Sequence, residues 1–378
     1  MSLQIGKIYN IPINLHFTLI IVFFLVSWTL VNGFMPEYYP DLQKSSYWIM
    51  GITGSIILFF SIFLHELSHS LVCIKYNIRV RKIILFIFGG ISDILDEPKN
   101  FKQEFKIAIA GPITSFILSS LFFSIYIILN SIIQEHNEIV KIIEGILMYS
   151  SIINFLIGIF NLVPAFPLDG GRILRSVLIR FKKDFYESTK ISVQVGIAIA
   201  YSFIALGFII IINGSFLGGT WFILIGWFIQ AGAQSYLKQY ELSQFLAQIE
   251  LKEVMSTNIV SIKLDSSFEI LLDLVANNTK SSYPVIDNQD NFIGIILLSD
   301  ILKIKSNKFV VHISDIVIPK NELIILEQND TVDIALREMN EKNNWRAFIT
   351  SDDRLLGIVS KADIINTIKK NKSIRIEN

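Results

Sequence analysis

From residue 11 to about residue 236 the sequence is a succession of apolar runs, and that succession restricts the fold more than any other feature. Crossing a hydrocarbon core takes about 20 apolar residues per helix. In lipid every backbone N–H and C=O must find its partner within the protein, which leaves helices as the form for runs of this kind. The runs at 13–31, 48–76, 105–130, 143–163, 191–212 and 216–236 are long enough. The mean hydropathy of +0.53 averages over a sharp boundary, because from residue 241 onward the composition is that of an ordinary soluble protein. The expected fold is a polytopic α-helical membrane domain (1–240) with six transmembrane helices, followed by a soluble α/β module (241–378). The first run has little basic sequence before it and no small-residue cleavage site after it, so it reads as a retained span.

Basic residues predict the orientation. The segment 33–47 carries Lys44, 131–142 carries Lys141, and 213–219 carries none. By contrast, 77–106 carries Arg79, Arg81, Lys82, Lys99, Lys102 and Lys106, and 172–190 carries Arg172, Arg175, Arg180, Lys182, Lys183 and Lys190. Cytoplasmic loops are the basic ones. A multi-pass protein of the cell membrane with both termini in the cytoplasm follows. The formal net charge of zero says nothing about partners, which respond to charge distribution. Cys73 is the only cysteine, which excludes an intramolecular disulfide and any Cys-rich metal cluster.

The second run contains His65, Glu66 and His69. Residues i and i+4 share a helix face, so the two imidazoles can address one metal ion while Glu66 stays within reach of a water on it. Ionisable residues inside a membrane are costly and usually mark function. Spans two and four run in the same direction, so the polar end of the fourth, Asn161 to Arg172, can lie beside the histidines. Pro164 and Pro167 bend it, and Gly170-Gly171 permits a further turn. Asp169 becomes the natural third ligand of a His₂-carboxylate zinc with one open position; it is also placed to cap the helix that follows. The apolar stretch 83–93, interrupted by Gly89 and Gly90, is too short to span and reads as a strand and turn. Its edge is open either to substrate by strand addition or to plain packing. Ala110-Gly111-Pro112 reads as a close-packing kink. His16 reads as a packing residue in the first span, His136 has no partner at metal spacing, and His312 lies in the soluble half.

His65-Glu66-Leu-Ser-His69 in one span, with Asn161, Pro164 and Pro167-Leu-Asp169-Gly-Gly in another, resembles the site-2 protease family of intramembrane zinc metalloproteases. The resemblance covers about residues 5–240. It implies His65, His69 and Asp169 as zinc ligands, Glu66 as catalytic base, and Asn161 and Pro164 beside the substrate.

The soluble half is an internal repeat. Landmarks recur about 63 residues apart (Gly294 and Gly357, Asp300 and Asp363), which describes a tandem module over about 251–307 and 313–370. It resembles a pair of CBS (cystathionine-β-synthase-type) domains. That resemblance implies either an adenine nucleotide between the repeats or a homodimerisation or docking role. Ser360 and Asp363 fit the family's Gly-h-h-Ser/Thr-x-x-Asp ending, where h is an apolar residue. The first repeat keeps Asp300 but has Leu297 in place of the hydroxyl. There is no Walker loop or dinucleotide fingerprint, and no nucleic-acid partner is expected.

The reading these features favour is a zinc protease that cuts transmembrane segments of other proteins in the bilayer, modulated by its CBS pair. A CBS-regulated metal or ion transporter is the alternative, opposed by the glutamate directly after the first histidine and by the lack of an inverted repeat. A catalytically dead scaffold is opposed by the intact His65, Glu66, His69 and Asp169.

Overall fold

The computed structural model describes residues 2–87, 89–133, 137–278, 280–304 and 312–376; His136 lies outside them. The chain forms two compact units, Met1–Lys238 and Gln239–Asn378.

The first unit begins with a hairpin of β1 (Ser2–Ile8) and β2 (Ile11–His16). Its two-residue turn, Tyr9-Asn10, takes positive φ at both positions, as short hairpin turns require. Helix α1 (Thr18–Thr29) continues through a π turn, Leu30–Phe34, into α2 (Met35–Tyr38). Next come α3 (Lys44–Lys75), β3 (Val80–Phe86), β4 (Gly89–Ile94), α4 (Phe101–Ile132) and α5 (Glu138–Asn161). Then follow α6 (Asp169–Lys182), α7 (Phe185–Ile212) and α8 (Phe216–Leu246), whose residues from Gln239 onward belong to the second unit. Asn100, Asn137 and Asp184 start α4, α5 and α7 by accepting a backbone N–H three residues on, the usual N-cap bond.

Among the described residues six helices are long and apolar enough to cross a membrane: Thr18–Tyr38, Lys44–Lys75, Phe101–Ile132, Glu138–Asn161, Phe185–Ile212 and Phe216–Leu246. This is a multi-pass membrane protein. The first span starts later than the apolar run suggests, because residues 11–16 pair as a strand. An apolar strand joined directly to an apolar helix leaves no compositional break between them. His16 accordingly ends β2, with Nδ1 2.9 Å from Thr18 Oγ1. Buried polar side chains bond across the helices (Ser27 to Ser55, Ser119 to Ser151, Asn154 to Ser61), as is usual where lipid supplies no alternative partner.

The four strands form one sheet in the order β1-β2-β3-β4. β2 and β3 run parallel, and the outer pairs are antiparallel. β4 is an edge strand packed on α3.

The second unit holds two similar halves. The first comprises β5 (Ile262–Lys263), α9 (Phe268–Asn277), β6 (Ser282–Ile286), β7 (Phe292–Leu297) and α10 (Leu298–Ile304). After β8 (Ile318–Pro319), the second comprises β9 (Ile325–Leu326), α11 (Val332–Glu341), β10 (Arg346–Ser351), β11 (Arg354–Ser360) and α12 (Lys361–Ile376). The halves exchange edges. Ile318 of β8 pairs with Ile295 of β7, and Ser256, at the equivalent place before the first half, bridges to Ile358 of β11. This exchange explains the recurring glycine. A Cβ at Gly294 would collide with the Ile318 carbonyl, and one at Gly357 with the Met255 side chain. Phe292 and Phe348 stack where the two sheets meet, with ring centroids 5.5 Å apart.

Candidate metal centre

His65 and His69 lie one turn apart on α3 and are each 3% exposed. Their Nε2 atoms stand 3.0 and 3.1 Å from Asp169 Oδ2, at the first residue of α6. One ligand atom from each of the three residues lies within 4.8 Å of the others. The opposite ring nitrogens are already engaged. His69 Nδ1 donates to the Ile107 carbonyl at 2.6 Å, which leaves Nε2 with a free lone pair. His65 Nδ1 lies 2.9 Å from Ser115 Oγ, so a ligating Nε2 makes Nδ1 the donor and the hydroxyl its acceptor. Both partners belong to α4, as does Gly111. A Cβ on Gly111 would collide with both Nε2 atoms, so that glycine holds open the space the three ligand atoms enclose. Two imidazoles and a carboxylate around a cleared space fit a tetrahedral zinc with a fourth position for water.

Asp169 does not cap α6. The N-cap is Leu168 without a side-chain bond, and the carboxylate turns to the histidines instead. Gly170 and Gly171 lie inside the first turn of α6, not at a separate bend. A Cβ on either would strike the returning backbone of 162–166. What holds α6 in place is a buried charge cluster. Glu104 of α4 accepts from Arg175 Nη2 at 2.6 Å and Arg172 Nε at 3.2 Å, and Arg175 Nη1 donates to the Tyr236 hydroxyl of α8 at 2.7 Å.

Glu66 faces β4. Ser92 of β4 donates its hydroxyl to Glu66 Oε2 at 2.9 Å, and the Ser70 hydroxyl lies 3.1 Å from both Ser92 Oγ and the Glu66 carbonyl. A side chain at Gly90 would occupy the space of the Glu66 side chain, and Gly89 takes φ +124°, open to glycine. The glycine pair therefore lets an edge strand pass directly beside the carboxylate. Asn161 ends α5, with Nδ2 donating to the Ile157 carbonyl, and Pro164 lies exposed in the loop leading to α6.

In the second unit, Asp363 Oδ2 accepts from the Ser360 backbone N–H and hydroxyl at 2.9 and 2.6 Å. Asp300 instead pairs with Lys303 one turn on, at 3.0 Å.

Sequence reasoning missed Ser115, Ser92, the Ile107 carbonyl and the Glu104 cluster. A serine in an apolar helix carries little signal, and a carbonyl carries none. Glu104, next to a basic segment, was the one visible sign.

Residues 53–147 and 129–203 match the model of peptidase family M50, and residues 251–307 and 313–370 each match the CBS domain. A zinc metalloprotease of Methanocaldococcus jannaschii is 32% identical over 368 residues, which is 97% of this chain and 96% of that one. The chain belongs to peptidase family M50. Rip3 of Mycobacterium tuberculosis is 27% identical over 370 residues, covering 97% of this chain and 93% of its own. The solved site-2 protease from M. jannaschii aligns at 32% identity with a TM-score of 0.44, over 63% of this chain and 95% of that one. By its family and these relatives the chain is a zinc metalloprotease with membrane-spanning helices and a C-terminal pair of CBS domains. The transporter alternative is not favoured.

Proposed function

We propose that His65 Nε2, His69 Nε2 and Asp169 Oδ2 hold the catalytic zinc, and that Glu66 is the general base for hydrolysis of peptide bonds in transmembrane segments. The observation that carries this reading is the convergence of the three ligand atoms within 4.8 Å, with the Glu66 residue alongside on the same helix. Zinc held there supplies Lewis acidity to the scissile carbonyl and makes water a nucleophile near neutral pH. Glu66 takes the proton of the attacking water on a carboxylate oxygen and returns it to the leaving amine. The Ser92 hydroxyl aims that carboxylate. Ser115 and the Ile107 carbonyl hold the two imidazoles in the ligating tautomer.

A helical substrate hides its amides, so cleavage demands an unwound segment. The open edge of β4 at Gly89 and Gly90 accepts such a segment as an added strand, and Asn161, at the end of α5, and Pro164, exposed in the loop after it, are the further substrate contacts. Substrates are transmembrane segments rich in Gly, Pro, Asn or Ser. Both termini are cytoplasmic, because the basic segments 77–106 and 172–190 lie at the metal-site ends of the spans. In the CBS pair, Ser360 and Asp363 offer a hydroxyl and a carboxylate to the ribose of one adenine nucleotide; Leu297 makes the Asp300 side the weaker contributor. The same pair supports homodimerisation, which the mass of the detergent-solubilised chain reads directly.

The deciding experiment compares wild type with Glu66→Gln in detergent, measuring zinc content and cleavage of a model transmembrane substrate. Both proteins should hold one zinc, and cleavage should fall by at least about 10² to 10⁴-fold, the usual worth of a general base. Equal cleavage by the two proteins removes Glu66 from the mechanism.

A further inference from the structure

Between the first turns of α4 and the C-terminal half of α6 lies a groove of about 220 Å³ lined by basic and apolar side chains. Its lining surface is mostly apolar, from Phe101, Phe105 and Val177, and Lys102, Lys106 and Arg180 stand among these side chains. The Arg180 guanidinium lies 5.7 Å from the Phe101 ring centroid and Lys106 Nζ lies 6.0 Å from that of Tyr76, so both side chains are laid over aromatic faces. Among the described residues no carboxylate pairs with Lys102, Lys106 or Arg180. Their neighbours Arg172 and Arg175, in contrast, are taken up by Glu104. The apolar side chains stay open to the surroundings: Phe105 is 40% exposed, Val177 42%, and the adjoining Phe181 75%.

We propose that this groove binds the headgroup of an anionic phospholipid, with the phosphate among Lys102, Lys106 and Arg180 and the upper acyl chain along Phe105, Val177 and Phe181. The position supports this occupant. The groove sits where α4 passes from its polar start into its apolar span, the level at which headgroups lie. Basic pockets between spanning helices are suited to anionic headgroups. A soluble anion would satisfy the cations and leave the apolar side chains uncovered, whereas a lipid covers both. The ligand bridges α4 and α6, the pair that the Glu104 cluster also joins, and α6 begins at Asp169.

The test uses the full chain, delipidated in a neutral detergent and titrated with phosphatidylglycerol or phosphatidylcholine of matched chains, with bound lipid counted by native mass spectrometry. Wild type should retain one phosphatidylglycerol in preference to phosphatidylcholine. Removing a cation should weaken it about fivefold, and K102A/K106A/R180A on the order of a hundredfold, from about 1 kcal/mol per basic residue at a lipid surface. K102R/K106R/R180K should bind as wild type does. Val177→Trp, which fills the groove and leaves every charge in place, should also lose the lipid. Zinc content and unfolding temperature serve as the check that each variant is folded. Undiminished phosphatidylglycerol binding by both the triple alanine variant and Val177→Trp overturns the proposal. Two other results also overturn it: glycerol phosphate binding as tightly as the whole lipid, which makes this an anion site only, and an acidic peptide displacing the lipid at equal concentration, which makes it a protein-docking surface.

Discussion

As proposed zinc ligands, His65, His69 and Asp169 depend on atoms of α4 that are outside the ligand set. Ser115 and the Ile107 carbonyl engage the far side of each imidazole, and the missing side chain of Gly111 leaves the near side clear. Outer partners of ligating histidines typically contribute 10–100-fold to metal affinity. Ser115→Ala should therefore weaken zinc by that factor, read by competition against a chelator of known affinity, while Ser115→Thr, which keeps the hydroxyl, should stay near wild type. Gly111→Ala puts a methyl group where both Nε2 atoms must converge. It should abolish stoichiometric zinc, measured by metal analysis of the purified variant, and retention of one zinc would show that the histidines reach the metal from elsewhere.

α6 is short, amphipathic and basic, yet it carries Asp169, the proposed third ligand. Its position rests on the link from Glu104 to Arg172 and Arg175, with Tyr236 as a second anchor. Removing one member of a buried charge cluster strands the others and typically costs about 3–5 kcal/mol. Glu104→Leu should lower the unfolding temperature in detergent and reduce zinc retention together, because Asp169 leads the helix that is released. Adding Arg175→Met should recover much of the loss in stability, since replacing a whole buried pair by apolar groups is often neutral. If Glu104→Leu unfolds earlier but holds zinc with unchanged affinity, the cluster stabilises the fold without placing Asp169. β4 stands in a comparable relation to Glu66. Ser92→Ala removes the hydroxyl that aims the carboxylate and should lower kcat with little change in zinc content.

The metal cluster lies wholly within the first unit, and the CBS pair has its own cores, one around Leu271, Tyr283 and Ile296 and another around Ala335, Met339 and Val359. Ligand binding stabilises the unit that holds the ligand, by about 4 kcal/mol when free metal is a thousandfold above Kd. Chelation should lower the unfolding temperature of the membrane unit and leave that of the CBS pair unchanged, followed by calorimetry on the full chain. A shift of both transitions would mean that the two units unfold as one.

Much of this was legible in the chain because it is local. Apolar run length demands spanning helices in lipid, a four-residue spacing puts two histidines on one face, and a 63-residue recurrence of Gly294 and Asp300 declares a tandem module. The match to family M50 agrees with the motif at His65-Glu66-Leu-Ser-His69. The rest concerns contacts between residues far apart in sequence. The strand at residues 11–16 is hidden in the sequence because an apolar strand and the apolar helix after it share one composition. The need for glycine at Gly111, Gly294 and Gly357 comes from atoms of other segments that pass close by. The sequence lets Asp169 both cap its own helix and reach the histidines, and the packing of α6 on α4 turns it to the histidines alone. A carboxylate at a helix start can do either locally, and the partner that comes within 3.0 Å is supplied by a segment about a hundred residues away.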